Sequence, residues 1–114
     1  MQNPPDIYSY NDFRRFLGDW LDWRQFEDSS FTKAECSRRL GLPNSRSYLP
    51  DLLRGKRLSE TFLERFIQVL ELGKDEARFF RTLVRFNQAE RPEERQAAYD
   101  ELAALNRTPR HKMG

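Results

Sequence analysis

A single cysteine, Cys36, and a single histidine, His111, stand in a chain of 114 residues. That scarcity excludes an intramolecular disulfide and a cysteine-rich zinc site. It also excludes a Cys/His or Ser/His catalytic pair in the folded part, because each of these needs several such side chains in one place. Long apolar runs are missing as well. No stretch approaches the ~20 residues of a membrane helix, and the start, MQNPPDIYSY, has no basic segment followed by an apolar core, so neither a signal peptide nor a membrane partner is expected. There is no glycine-rich phosphate loop. Glu93/Glu94 and Asp100/Glu101 are sequence neighbours, which do not share a helix face and so make no acid/base pair. Charge of one sign is not in excess either, since 20 Lys and Arg against 18 Asp and Glu leave a net +2. These absences predict a cytoplasmic, non-enzymatic protein without cofactor or metal.

What is present is enough for one domain. Charged residues make up 33% and aromatics 13%, with nine Phe, four Tyr and two Trp, too aromatic for a disordered tail. Nothing reads as a strand, and the punctuation residues cut the chain into helical pieces. Pro4 and Pro5 forbid a helix start before residue 6; Tyr10, Phe13, Leu17, Trp20 and Leu21 then recur at helical steps to residue 26, with Ser9 or Asn11 as cap. Thr32 opens a second helix over 33–40, with Glu35 closing a capping box, Ala34, Cys36 and Leu40 as its small or apolar positions, and Gly41 as its stop.

Pro50 sets the third helix. With Asn44 as cap, the proline would clash with the carbonyl of Arg46, whereas with Ser47 as cap it falls in the first turn, so the helix is expected over 48–54. Ser59 caps a fourth helix with Phe62, Phe66, Ile67 and Leu70 inside, ended by Gly73. A fifth, over 75–89, buries Phe80, Leu83, Val84 and either Phe79 or Phe86. Pro92 opens a sixth through Leu105, with Ala98, Leu102 and Leu105 inward. The domain is then residues 1–105, an all-α bundle of five to six helices, followed by a flexible basic tail over 106–114. Trp20, Trp23 and the Phe residues at helical spacing are expected in the core, with Trp23 off the main stripe.

The charge is unevenly placed. Between Lys33 and Arg57 stand Lys33, Arg38, Arg39, Arg46, Arg54, Lys56 and Arg57 against Glu35 and Asp51, a net +5, while the rest of the chain carries −3. A basic concentration of that kind suits a polyanion, because each cation near a phosphate releases condensed counterions.

The order Thr32 to Leu42, a Ser/Asn turn, a short helix, Arg54-Gly55-Lys56-Arg57 and a Ser59-capped apolar helix resembles the repressor-type (lambda/Xre-type) helix-turn-helix over residues 31–72. The resemblance implies that the first helix braces the DNA backbone and the second lies in the major groove. Leu40-Gly41-Leu42 then corresponds to the turn, Ala34 to the small residue where the helices cross, and Arg54 to Arg57 to the exit loop, with Lys33 and Ser47 facing phosphate or base.

A second likeness spans nearly the whole chain. Pro5-Asp6-Ile7, Tyr10, Asp12-Phe13-Arg14, Phe16-Leu17, Gly55-Lys56-Arg57-Leu58-Ser59 and Leu83-Val84-Arg85-Phe86-Asn87-Gln88-Ala89 resemble an uncharacterised bacterial family first noted as a large paralogous set in Fibrobacter. Its members look like an N-terminal helix-turn-helix followed by a larger domain of unknown function. On that likeness the chain is either a fragment or a stand-alone version lacking the second part.

The resulting expectation is a DNA-binding transcriptional regulator acting on double-stranded DNA as a homodimer through its C-terminal helices. Arg46, Ser47 and Tyr48 are the candidates for base edges; Lys33, Arg38, Arg39, Arg54, Lys56 and Arg57 are those for phosphates. The rival is a protein-interaction module, antitoxin-like or docking, in which Pro50 and Asp51 disable the second helix and a protein partner replaces DNA.

Overall fold

The computed structural model describes residues 3–107. Their regular structure is all helical: a 3-10 turn at Ile7–Ser9, then α1 Phe13–Glu27, α2 Lys33–Arg39, α3 Tyr48–Arg54, α4 Glu60–Val69, α5 Lys74–Gln88 and α6 Pro92–Arg107. No helix among the described residues is long and apolar enough to cross a membrane. His111 and the rest of 108–114 lie outside the described residues. Asn106 and Arg107 belong to α6 rather than to a tail, and the Asn106 side-chain amide donates to the Tyr8 carbonyl at 3.3 Å, an anchor for the last turn.

Most helix ends follow the punctuation, and the exceptions have local causes. Asp12, not Ser9 or Asn11, caps α1, its carboxylate accepting the Arg14 N–H at 2.9 Å. Residues 7–9 wind separately on an Asp6 cap, and Tyr10 is extended, so the helix cannot begin before that break. Thr32 caps α2 by accepting the Glu35 N–H at 3.1 Å, but only half of the capping box forms: the Thr32 N–H goes to the Ser30 carbonyl and the Glu35 carboxylate turns to arginines. Gly41, at φ +91°, ends α2 in a Schellman motif, with Leu42 N–H on Ser37 O at 2.8 Å and Gly41 N–H on Arg38 O at 3.0 Å. Ala34 is exposed; the small side chains that α2 buries are Cys36 and Ser37.

α3 begins at Tyr48, with Pro50 in its first turn. Ser47 precedes it but its side chain makes no capping bond. Its ψ of −14° is already helical, which takes the hydroxyl away from the first-turn donors, and Ser45 Oγ accepts the Tyr48 N–H at 3.2 Å instead. α4 starts on the expected Ser59 cap but stops before Gly73, because Glu71 adopts φ +55° and the Leu72 N–H returns to Ile67 O at 3.2 Å. Gly73 instead precedes α5, donating its N–H to Glu76 Oε1 at 3.1 Å.

α5 is the central post, touching the 3-10 turn, α1, α4 and α6. It buries both Phe79 and Phe80 with Leu83 and Val84, while Phe86 is half-buried. The Phe13 and Phe16 rings of α1 meet Phe80 at 6.4 and 6.2 Å, and Tyr8 lies 4.9 Å from Phe79. Trp20 is buried against Phe31, with Trp23 half-buried beside it. α2 and α3 have seven residues each, too short to hold their own helical form in water. Leu40, Leu49 and Leu52, all fully buried, fix them to the core at ~1.5 to 3 kcal/mol per side chain. α3 packs on α1 and α2.

Candidate nucleic-acid interface

The basic window is spread over α2, the turn before α3, α3 itself and the loop after it. Lys33 is exposed in the first turn of α2, and Arg46 is exposed just before α3; neither side chain makes an ion pair or hydrogen bond among the described residues. Ser47 is exposed beside Arg46. Tyr48 is half-buried, its ring 5.2 Å from that of Phe62, and burial pushes its phenol pKa up. Lys56 Nζ stands 5.6 Å from the Tyr48 ring centroid, a cation–π distance.

Four of the expected phosphate ligands already have carboxylates, three of them at close range. Glu35 accepts from Arg38 Nε at 2.9 Å and from Arg39 Nε at 2.8 Å. Those hydrogen bonds, Arg38's first, pull the Glu35 pKa down from 4.5 to about 2. Arg39 also lies 5.0 Å over the Phe31 ring, which receives Arg24 at 4.5 Å. Arg54 holds Asp51 at 2.7 Å, one turn back on α3. Arg57 has looser partners, the Gln88 carbonyl at 3.3 Å and Glu90 at 3.7 Å. Arg46 and Lys56 therefore flank α3 with no carboxylate partner among the described residues, Arg57 meets a carboxylate only in the long contact to Glu90, and Lys33 adds a charge at the start of α2.

Four residues outside the expected set hold this face in place. Arg14 in the first turn of α1 reaches the C-terminal end of α3: Nε donates to Leu52 O at 2.8 Å, and Nη2 donates to Lys56 O at 2.8 Å and Gly55 O at 3.1 Å. Leu52 O also accepts the Gly55 N–H at 3.1 Å, the other two carbonyls lie just past the helix, and a cation is favoured at that end of a helix. Arg65 does the same for α2, donating to Leu40 O at 2.9 Å, and it lies so close over Gly41 that a Cβ there would come within 2.7 Å of its Nη1.

The last turn of α5 supplies the other two. Gln88 pairs its side-chain amide with the Leu58 backbone in both directions, accepting from N at 2.7 Å and donating to O at 3.1 Å. Asn87 accepts from Phe13 N at 2.7 Å and donates to Asn11 O at 3.0 Å. The sequence did hold a signal for the pair: Phe80, Val84 and Gln88, like Phe80, Leu83 and Asn87, continue the inward stripe of α5 with polar groups at its end.

Cys36 is buried, and burial lifts its thiol pKa to about 11, far from the thiolate a nucleophile needs. Among the described residues no three His, Cys, Asp or Glu side chains converge to hold a metal ion. What the arrangement can do is present separated cations on two short helices and their loops. No protein-family profile, curated protein or solved structure matches this chain.

Proposed function

We propose that the chain binds double-stranded DNA as a transcriptional regulator, with α2 and α3 as a repressor-like helix-turn-helix and a dimer formed through α5 and α6. The observation that carries the reading is the placement of Arg46 and Lys56 on both sides of α3 without a carboxylate partner among the described residues, with Arg57 meeting a carboxylate only in a long 3.7 Å contact to Glu90, in a window of net +5. Arg46 is the base-reading candidate, since its guanidinium can make the two-pronged contact with guanine O6 and N7. Lys33, Lys56 and Arg57 meet phosphates. Arg38, Arg39 and Arg54 join them only by exchanging Glu35 or Asp51 for phosphate.

With Lys33, Lys56, Arg57 and one exchanging arginine, about four phosphate contacts form per protomer and roughly eight per dimer, so log K falls with log salt at a slope of about −7. Binding that stays flat between about 50 and 200 mM salt removes the DNA reading. Arg46→Ala lowers affinity for a selected site by about 1 to 3 kcal/mol in competition against random duplex, with little change on the random duplex itself. An equal loss on both makes Arg46 one more phosphate contact.

The protein-interaction reading draws on different observations. Eight residues, 40–47, separate α2 from α3, where a DNA-reading pair normally has a turn of about three or four. Asp51 sits on α3, and large aromatic side chains are exposed elsewhere, Phe26 at 68% and Tyr99 at 55%. Duplex binding with the expected salt slope decides against it.

A further inference from the structure

We infer that Arg14, with Gln88 opposite it, is a positioning residue for the loop 55–58, holding Lys56 and Arg57 in a phosphate-gripping arrangement. The inference rests on the DNA reading and adds to it the element that sets the loop's geometry.

The loop has few internal reasons to keep its shape. Gly55 takes φ +138°, a conformation that only glycine adopts without strain, and it is exposed with its neighbours Lys56 and Arg57. Its backbone bonds to α3 are the Gly55 N–H to Leu52 O at 3.1 Å and the Lys56 N–H to Asp51 O at 2.9 Å. The rest of its fixation comes from outside. Arg14 gathers the carbonyls of Leu52, Gly55 and Lys56 onto one guanidinium, and Gln88 pairs both backbone groups of Leu58. Lys56 and Arg57 lie between these two grips. A planar group with five N–H donors can serve three carbonyls that diverge from one another; the point charge of lysine cannot. Arg14 has its Nε and Nη2 donors turned to protein carbonyls and its guanidinium 4.6 Å over the Phe13 ring, so on this inference it acts through the loop rather than on phosphate itself.

The test uses the whole chain in four forms: wild type, Arg14→Lys, the double variant Lys56→Ala/Arg57→Ala, and all three changes together. Each is titrated against a fluorescent random duplex over a salt series. Arg14→Lys keeps the charge, yet it weakens binding by the same factor as the double variant and makes the salt slope shallower by about 2 per protomer. The triple variant is no weaker than the double one. Amide exchange at Gly55 and Lys56 speeds up by tenfold or more in Arg14→Lys, while the amides of α5 stay protected.

Wild-type affinity in Arg14→Lys overturns the inference and leaves the DNA reading standing. So does a triple variant that loses the two factors multiplied together, which makes Arg14 an independent phosphate contact. Wild type that binds no duplex removes both. Should Arg14→Lys fail to fold, Gln88→Ala releases the loop from its other side; it must show the same shallower slope and the same lack of further loss with Lys56→Ala/Arg57→Ala, and unchanged binding there overturns the inference.

Discussion

Asn87→Ala tests how the start of α1 is secured. The first N–H groups of a helix have no partner within it, and on α1 the Asp12 side chain takes that of Arg14. The Phe13 N–H is taken by Asn87 Oδ1 at 2.7 Å, and Phe13 is fully buried, so water is a poor substitute. The other bond, Asn87 Nδ2 to Asn11 O at 3.0 Å, joins an exposed residue whose carbonyl can be hydrated after the change. The loss is therefore dominated by one unsatisfied buried donor, ~1 to 3 kcal/mol. A central value of about 2 kcal/mol lowers the melting temperature by roughly 10 °C in a domain of this size. Asn87→Asp keeps an acceptor for Phe13 N–H beside the positive end of α1 but sets a carboxylate against the Asn11 carbonyl, so at neutral pH it loses about half as much. Reversible thermal and urea unfolding followed by far-UV circular dichroism measures both. If Asn87→Ala stays within ~0.5 kcal/mol of wild type, the Phe13 N–H has found another partner and the clamp contributes little.

Ser45→Ala lowers stability by about 1 kcal/mol in urea unfolding while Ser47→Ala leaves it within ~0.5, and the reverse order would return the α3 cap to Ser47. Glu71→Gly relieves a left-handed backbone at φ +55° and raises stability by roughly 0.5 to 1 kcal/mol, net of the extra freedom of glycine in the unfolded chain; a lower urea midpoint would show that the Glu71 side chain matters more than its backbone. Because Arg38 and Arg39 hold the Glu35 pKa below its unfolded value, its contribution is complete above about pH 4.5 and fades as pH falls toward about 2. The stability difference between wild type and Glu35→Gln should shrink over that window, and a difference independent of pH would detach it from the carboxylate. On the DNA reading the same variant frees two guanidinium groups and strengthens binding to random duplex at about 0.1 M salt, by up to roughly tenfold for each added contact; weaker binding would mean that Glu35 orients those arginines usefully.

The helical architecture was legible because local signals set it. Period-3.6 aromatic stripes, Thr32 and Ser59 as caps, Gly41 as a stop and Pro50 as a first-turn residue each act within a few residues, and each lands where expected. The misses come from forces that act across the fold. Ser47 stands in the cap position, but the path of the turn hands the task to Ser45. Gly73 looks like the stop for α4, yet Glu71 accepts the left-handed position because Leu70 and Leu72 pack into the interior around it.

The basic window was legible as composition. Its pairing was not, since Glu35 in sequence is equally a capping-box residue and the partner of two arginines. Arg14, Arg65, Asn87 and Gln88 form bonds to backbone groups 25 to 76 positions away, and no local pattern announces such bonds.

The clamps grip main chain, not side chains. Leu40, Leu52, Gly55, Lys56 and Leu58 are all held by peptide oxygen or nitrogen atoms, which any sequence would offer so long as the backbone path is kept. Positions 44, 46 and 47 are thus released from structural duty. They can be exchanged one for another without disturbing what anchors α2 and α3. A scaffold of this kind can diversify what it recognises through point changes on its outer face, while its inner face and its long-range bonds are inherited intact. On the DNA reading, the same property makes those three positions the natural ones to randomise in a library intended to retarget the domain.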